Sequence, residues 1–246
     1  LGGRNLRTRS QALVNDELLI DFNADSYWHF IQYNIDWERV CGCIITHSHP
    51  DHLYPAEVEI AKPSLSNQHR RIDFYSAKSG YDMLMTEVPG TKGQASATLI
   101  RAGEPFVING ERKYVITPMD ANHDLNSTPL IYAIECDGKR MLYAHDTGYF
   151  PDGTWQTLAG LGRFDLVTLD CTHCNKQNID ISSRHLNFNN ALTVLDRLKS
   201  QGNVDGNTTV IVNHFSHNGG DTYDDMVALA KPYGIIVSYD GMEIDF

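Results

Sequence analysis

The stretch Ile44-Ile45-Thr46-His47-Ser48-His49-Pro50-Asp51-His52-Leu53 decides how this chain is read. It begins at the end of a nearly all-apolar run, Val40 to Thr46, which has the signature of a strand buried on both faces. It then places His47, His49, Asp51 and His52 in one short loop. Four donors in a loop at a strand end can converge on a small volume in a way that scattered residues cannot. Imidazole and carboxylate donors without clustered thiolates suit zinc, with manganese or iron as alternatives, and they leave positions open for water better than four thiolates would. The plain alternative is a polar surface loop that happens to hold three histidines.

Composition narrows the class of protein. The 246 residues include 11 His and 5 Cys, a ratio that favours imidazole-based chemistry. Thirty-one acidic residues against 20 Lys and Arg give a formal net charge of −11, which repels polyphosphate and favours a small substrate over a long nucleic acid. No apolar run approaches the roughly 20 residues of a membrane helix. The cysteine number is odd and the chain opens without targeting character, so a reducing, cytoplasmic setting is expected. The first residue is Leu1 rather than Met, which leaves a longer precursor as an expectation.

Outward from the His-rich loop, Gln11 to Phe22 alternates around Asn15-Asp16 and predicts a hairpin. Pro55 to Ala61 and Tyr81 to Glu87 suit helices, and Ile72 to Ser76 suits a strand. Asn109-Gly110 separates the strand-like Pro105 to Ile108 and Tyr114 to Thr117, and Asp137-Gly138 joins Leu130 to Ile134 with Arg140 to Ala144 in the clearest hairpin. Beyond it, strands at Phe164 to Leu169, Thr208 to Val212 and Ile235 to Ser238 alternate with helices at Asn189 to Lys199 and Asp224 to Lys231. Hairpins first and strand-helix alternation afterwards predict an α/β (α+β) fold of mixed sheets covered by helices. With no Pro/Gly/Ser-rich linker, one domain over residues 1–246 is expected.

The His47 to His52 segment resembles the H-x-H-x-D-H motif of the metallo-beta-lactamase superfamily. The resemblance extends along most of the chain and implies a four-layer αββα sandwich with a binuclear metal site at one edge. It implies two divalent ions. The first is expected on His47, His49 and His123, the second on Asp51, His52 and His214, with Asp146 of His145-Asp146-Thr147-Gly148 between them. Taken alone, His123 reads as a surface or capping residue and Asp146 as a turn residue, while His217 competes with His214. Each of the three follows a predicted strand in the order the superfamily expects, and His214 follows its strand directly. Flavo-diiron members resemble H-x-E-x-D-H, so His49 points to a hydrolytic member. Asp21, in Ile20-Asp21-Phe22-Asn23, resembles a family carboxylate that orients a metal-binding His, although Asn23 replaces Gly.

Ser183-Arg184-His185-Leu186-Asn187 resembles the G-H-(M/L/S)-(S/T/N) segment of the phosphodiesterase branch, which holds ribonuclease Z and the phosphoribosyl cyclic phosphodiesterases (carbon-phosphorus lyase accessory proteins). There the His lies beside the metals and contacts phosphate. His185 is therefore expected to stabilise phosphate oxygens or protonate the leaving alkoxide, with Asp51 as a second candidate for that proton. A helix cap is the alternative for His185, and Arg184 stands where the branch has Gly. The activity this implies is hydrolysis of a small or cyclic phosphodiester by a metal-bridging hydroxide.

Thioester, lactone or carboxylic-ester hydrolysis, which needs the metals but not His185, is one alternative, and an RNA-processing nuclease resembling ribonuclease Z is another. The stretch between His52 and His123 lacks the long basic arm of ribonuclease Z. The opening Arg4 to Ser10 looks like the segment after a Cys-rich turn in the cyclic phosphodiesterases, where a structural zinc also takes a His three residues beyond the last ligand. His217 has that offset; either the Cys turn lies upstream of Leu1 or His217 is a surface residue. Cys171 and Cys174 have C-x-x-C spacing but read as ordinary cysteines near a strand end, and Cys41 and Cys43 as core residues. Tyr143, Trp28 and Trp155 read as core or rim aromatics, and His145 as a residue that either packs against its strand or acts. The expected partners are a small anionic phosphodiester and a second copy in a homodimer, with no membrane.

Overall fold

The computed structural model describes residues 2–62 and 71–246. The chain divides into two compact units interleaved along the sequence. One comprises Thr8–Ile116 and Leu125–Leu130, the other Leu1–Arg7, Thr117–Asp124 and Ile131–Phe246.

The first unit is built on a five-stranded sheet of β1 Ala12–Val14, β2 Leu18–Ile20, β3 Gly42–Ile44, β4 Ile72–Ser76 and β5 Ala95–Leu99, in that order. β1 and β2 form the expected antiparallel hairpin, whose Asn15 and Asp16 take left-handed φ values of 52° and 60°, a region those residue types tolerate. From β2 to β5 neighbouring strands are parallel. β2 and β3 are wholly buried, which is why Leu18-Leu19-Ile20 and Gly42-Cys43-Ile44 show no polar alternation. Gly42 is there for space: a Cβ would lie 3.3 Å from the Asp73 carbonyl, from Ile108 and from Tyr75. Helices α1 Ser26–Gln32 and α2 Lys78–Glu87 and a 3-10 helix at Pro55–Ala61 accompany the sheet. Phe22, Cys43, Ile45, Leu53, Phe74 and Leu84 lie in one apolar cluster. β6 Phe106–Asn109 pairs antiparallel with the first residues of β7 Lys113–Asp120, around the expected Asn109-Gly110 turn.

In the second unit β7 is followed across the sheet by β8 Leu130–Cys136, β9 Lys139–Ala144, β10 Leu166–Asp170, β11 Thr209–Asn213 and β12 Ile236–Val237. β8 and β9 make the Asp137-Gly138 hairpin, and β9 to β12 run parallel. Parallel neighbours need crossovers. α3 Asp152–Leu161, α4 Phe188–Ser200 and α5 Tyr223–Ala230 supply them, one between each successive pair. α4 shows the helical period most clearly, burying Phe188, Ala191, Val194, Leu195 and Leu198. These join Trp155, Phe164, Leu169, Val212 and Met226 in the core of this unit.

The mixed α/β architecture agrees with the sequence expectation, and two helices go beyond it. α1 is made largely of Tyr, Trp, His, Phe and Ile, and α3 carries Gly153 and Gly160, so neither segment has strong helix propensity. Trp155 and Tyr143 are core residues, whereas Trp28 is 53% exposed. Cys41 and Cys43 are buried, as expected. Among the described residues no helix is long and apolar enough to cross a membrane.

The start of α4 fixes the segment that leads into it. Asn187 caps the helix, its side-chain oxygen accepting from Asn190 N–H at 2.7 Å while its amide donates to the Lys176 carbonyl at 2.8 Å. Asn187→Ala is expected to lower unfolding free energy by about 1–2 kcal/mol in a urea titration, the cost of losing a helix N-cap.

Candidate metal centre

In the first unit, the His-rich loop begins directly after β3 and is stitched to the end of β2. Phe22 N–H donates to the His52 carbonyl, and Tyr54 N–H to the Phe22 carbonyl, both at 2.8 Å. Asp21, at that strand end, is fully buried. Its carboxylate accepts from Thr46 N–H at 2.7 Å, from Thr46 Oγ1 at 2.9 Å and from His52 Nδ1 at 2.6 Å. An ionised carboxylate cannot donate, so the proton of the last bond sits on Nδ1 and the lone pair of His52 on Nε2. Thr46 Oγ1, its hydrogen given to Asp21, accepts from His47 Nδ1 at 3.1 Å and sets that ring in the same tautomer. Burial pushes the Asp21 carboxyl above the usual carboxylate range, and the bonds from His52 and Thr46 oppose this. The His47 ring centroid lies 4.6 Å from that of His49 and 4.3 Å from that of His52. Asp51, with its side chain 51% exposed, has Oδ2 at 3.7 Å from His52 Nε2.

The second unit repeats the device. Asp170, the last residue of β10, is fully buried. It accepts from Thr172 N–H at 2.9 Å, Leu186 N–H at 3.0 Å, Thr172 Oγ1 at 3.1 Å and His185 Nδ1 at 2.9 Å. Thr172 Oγ1, its hydrogen committed to Asp170, accepts from His214 Nδ1 at 2.8 Å. His123 Nδ1 donates to the Arg184 carbonyl at 3.3 Å. His123, His185 and His214 therefore all carry the lone pair, or in a cation a second proton, on Nε2. His214 Nε2 is 3.1 Å from Asp146 Oδ2, and His185 Nδ1 is 3.4 Å from Asp146 Oδ1. Asp146, Asp170, His185 and His214 offer ligand atoms that all lie within 4.8 Å of one another, a group able to hold a metal ion. The His185 ring stacks on that of His214 at 5.9 Å and meets that of His123 edge-on at 4.7 Å. Burial lowers the His185 pKa, but the hydrogen bond and charge of Asp170, with the charge of Asp146, outweigh it, and the net shift is upward.

The first unit thus gathers His47, His49, Asp51 and His52 with Asp21, and the second gathers His123, Asp146, His185 and His214. Asp170 and Thr172 join the second group without any signature in the sequence beyond an Asp that ends an apolar strand. His185 does not cap α4, since Asn187 does. His145 is buried, with its ring 4.0 Å from that of Tyr143. His217 is exposed, opens the 3-10 turn His217–Gly219, and belongs to none of the metal-suited groups among the described residues. Three of the strand-end residues take left-handed backbone, Asp21 at φ 68°, Asp146 at 49° and His214 at 62°.

Cys171 and Cys174 close a turn through Cys174 N–H to the Cys171 carbonyl at 2.9 Å, and both thiols are free. Burial pushes the Cys171 thiol well above the ordinary range and that of Cys174 up to about 11. A thiol with pKa near 11 is only about one part in a thousand thiolate at pH 8, and the thiolate is the nucleophile. Iodoacetamide at pH 8 is accordingly expected to alkylate Cys171 and Cys174 only after denaturation, as read by peptide mass spectrometry; rapid labelling of the folded protein would contradict the inert assignment.

A family model described as a beta-lactamase superfamily domain matches residues 29–215. No curated protein matches the sequence. Solved structures do. A diphosphatase of the PhnP family is 18% identical with a TM-score of 0.67, over 96% of this chain and 83% of that chain. The metallo-beta-lactamase fold protein YhfI from Bacillus subtilis is 18% identical with a TM-score of 0.72, over 96% and 91%. The short form of human tRNase Z is 14% identical with a TM-score of 0.57, over 97% and 93%. At these identities the likeness is one of fold.

Proposed function

The chain belongs to the beta-lactamase superfamily, and from that membership we propose a metal-dependent hydrolase that cleaves a small phosphodiester. His47, His49 and His123 would hold one divalent ion and Asp51, His52 and His214 a second, with Asp146 shared, as the motif resemblance implies. The observation that carries this reading is the commitment of Nδ1. His47 and His52 in one unit, and His123 and His214 in the other, each spend Nδ1 on a protein acceptor, the arrangement of an imidazole that would bind a metal through Nε2. Carbonyl or carboxylate partners on the far nitrogen are what orient metal-binding imidazoles. A mixed nitrogen and oxygen donor set favours zinc, with manganese or iron as alternatives. When bound, two such ions would bring the pKa of coordinated water from about 15.7 towards 7 and offset charge on the phosphate.

The remaining chemistry falls to the chain. His185 is held through Nδ1 by Asp170, and in its imidazolium form the Nε2–H can donate to a phosphate oxygen or give its proton to the leaving alkoxide. Asp170 fixes the plane of the ring and favours the imidazolium from which that proton is given. Asp51, half exposed beside His52, is a second proton carrier. The net charge of −11 favours a small substrate over a nucleic-acid chain, and the likeness to a diphosphatase and a tRNase Z points to a phosphoester. Free cysteines fit a reducing, cytoplasmic setting.

Zinc- or manganese-loaded protein is expected to hydrolyse bis(p-nitrophenyl) phosphate. Rapid cleavage of thioesters or lactones without any phosphodiester turnover would overturn the proposal. His185→Ala is expected to lower kcat by about 100-fold or more, the usual weight of a positioned acid-base group, with metal content unchanged by elemental analysis. If that variant loses metal, His185 is a ligand. Asp170→Asn should differ in kind: because Asp170 also holds Thr172 and through it His214, kcat and metal affinity are both expected to fall, the latter by about 10–100-fold.

A further inference from the structure

Tyr54 stands directly behind the loop of donors in the first unit, and its side chain does nothing visible for the fold. The chain runs extended from His52 into Tyr54, whose φ is −120° and ψ 95°. Leu53 bridges Phe22 in parallel register, held by the bonds from Phe22 N–H to the His52 carbonyl and from Tyr54 N–H to the Phe22 carbonyl. Side chains alternate along such a segment. Leu53 is buried in the apolar cluster of this unit, so Tyr54 emerges on the same face as His52, roughly 7 Å further along the chain.

The ring is exposed while the backbone that carries it is fixed. Tyr54 N–H donates to Phe22 at 2.8 Å, and the Tyr54 carbonyl accepts from Glu57 N–H at 3.0 Å. Tyr54 occupies the N-cap position of the 3-10 helix Pro55–Ala61, yet its side chain makes no cap bond. Among the described residues its hydroxyl makes no hydrogen bond and its ring no ring contact, and the residue is 44% exposed.

The neighbours indicate what would lie on it. Glu57 follows by three residues, and positions three apart eclipse in a 3-10 helix. Burial lifts the Glu57 carboxyl above its ordinary range, and the Tyr27 N–H opposes this, which places the carboxylate between Tyr54 and the first turn of α1. Tyr27, on that turn, is 57% exposed and continues the aromatic surface. Asp51, half exposed, precedes Tyr54 by three residues. Acidic groups thus stand on both sides of Tyr54 in the chain; they repel a further anion and tolerate a flat, uncharged group.

We propose that Tyr54 stacks an uncharged aromatic ring of the substrate, of the kind a nucleobase supplies. The inference rests on the phosphodiesterase reading and narrows it to diesters that carry such a ring. Stacking on an aromatic side chain is tolerant of which base it meets, so Tyr54 selects for a ring rather than for one base.

The test uses the metal-loaded full chain and two monoesters that differ in the base, adenosine 5′-phosphate and ribose 5-phosphate. Wild-type protein is expected to bind adenosine 5′-phosphate about tenfold tighter by calorimetry, the scale of one base–aromatic stack. Tyr54→Ala should bring the two affinities together by weakening the adenosine ester alone. Tyr54→Phe and Tyr54→Trp should keep the preference, since the ring and not the hydroxyl carries it. With bis(p-nitrophenyl) phosphate, Tyr54→Ala should show its loss in KM rather than in kcat, as when binding common to ground and transition states is removed. If Tyr54→Ala weakens both monoesters alike, the residue is structural and the proposal falls. Turnover of bis(p-nitrophenyl) phosphate with equal wild-type affinity for the two monoesters also overturns it while sparing the phosphodiesterase reading. No turnover of any diester overturns both.

Discussion

Two buried carboxylates decide which nitrogen the clustered histidines show to a ligand. Asp21 and Asp170 each sit at the end of a parallel strand, each is wholly buried, and each takes both the backbone N–H and the hydroxyl of a threonine, Thr46 or Thr172. With its hydrogen spent, each threonine oxygen can only accept, so it receives Nδ1–H from His47 in one unit and from His214 in the other. The carboxylates bind a further histidine directly, His52 or His185. An isolated carboxylate in such surroundings would be expensive to ionise; three or four donors make it affordable and rigid. Imidazoles that could otherwise rotate and exchange tautomers are thereby left with one orientation.

The fold supplies the places where this can happen. Buried parallel strands end abruptly, and their last residues lead into loops whose backbone is already paired to neighbouring strand ends. In the second unit the crossover before α4 then brings Arg184 and His185 back over the loop of Asp146, an approach that Gly148 alone permits. The cores beneath, around Phe22 and Phe74 in one unit and Trp155 and Phe188 in the other, hold the strand ends in register. Rigidity at the site is thus inherited from packing several residues away.

Much of this was legible in the sequence because it is written in local patterns. Unalternated apolar runs mark β3 and β10, the turn-like Asn15-Asp16 marks the β1–β2 hairpin, Asp-Gly marks the β8–β9 hairpin, and the spacing from His47 to His52 marks a loop of donors. What was hidden depends on contacts between distant residues. Asp170 is just the final residue of an apolar strand until Thr172, Leu186 and His185 arrive to donate to it. α1 was obscured because its aromatics suit a strand as well as a helix, and Asp25, in the N-cap position, sends its carboxylate to Arg9 instead of capping the helix. α3 was obscured by two glycines in ten residues; the burial of Trp155 and Leu158 holds it helical against their propensity.

The left-handed backbone at Asp21, Asp146 and His214 bears on how such a protein could change over time. Glycine adopts that conformation most freely, and a side chain kept there carries backbone strain, less for Asp and His than for most residues. Selection for stability alone would therefore favour glycine at Asp146 and His214, which offer ligand atoms, whereas Asp21 is kept by the buried donors of Thr46 and His52 that it satisfies. The Asp and His kept at those two positions work against stability, and heat-based screening of variant libraries would enrich robust but chemically empty descendants of this fold.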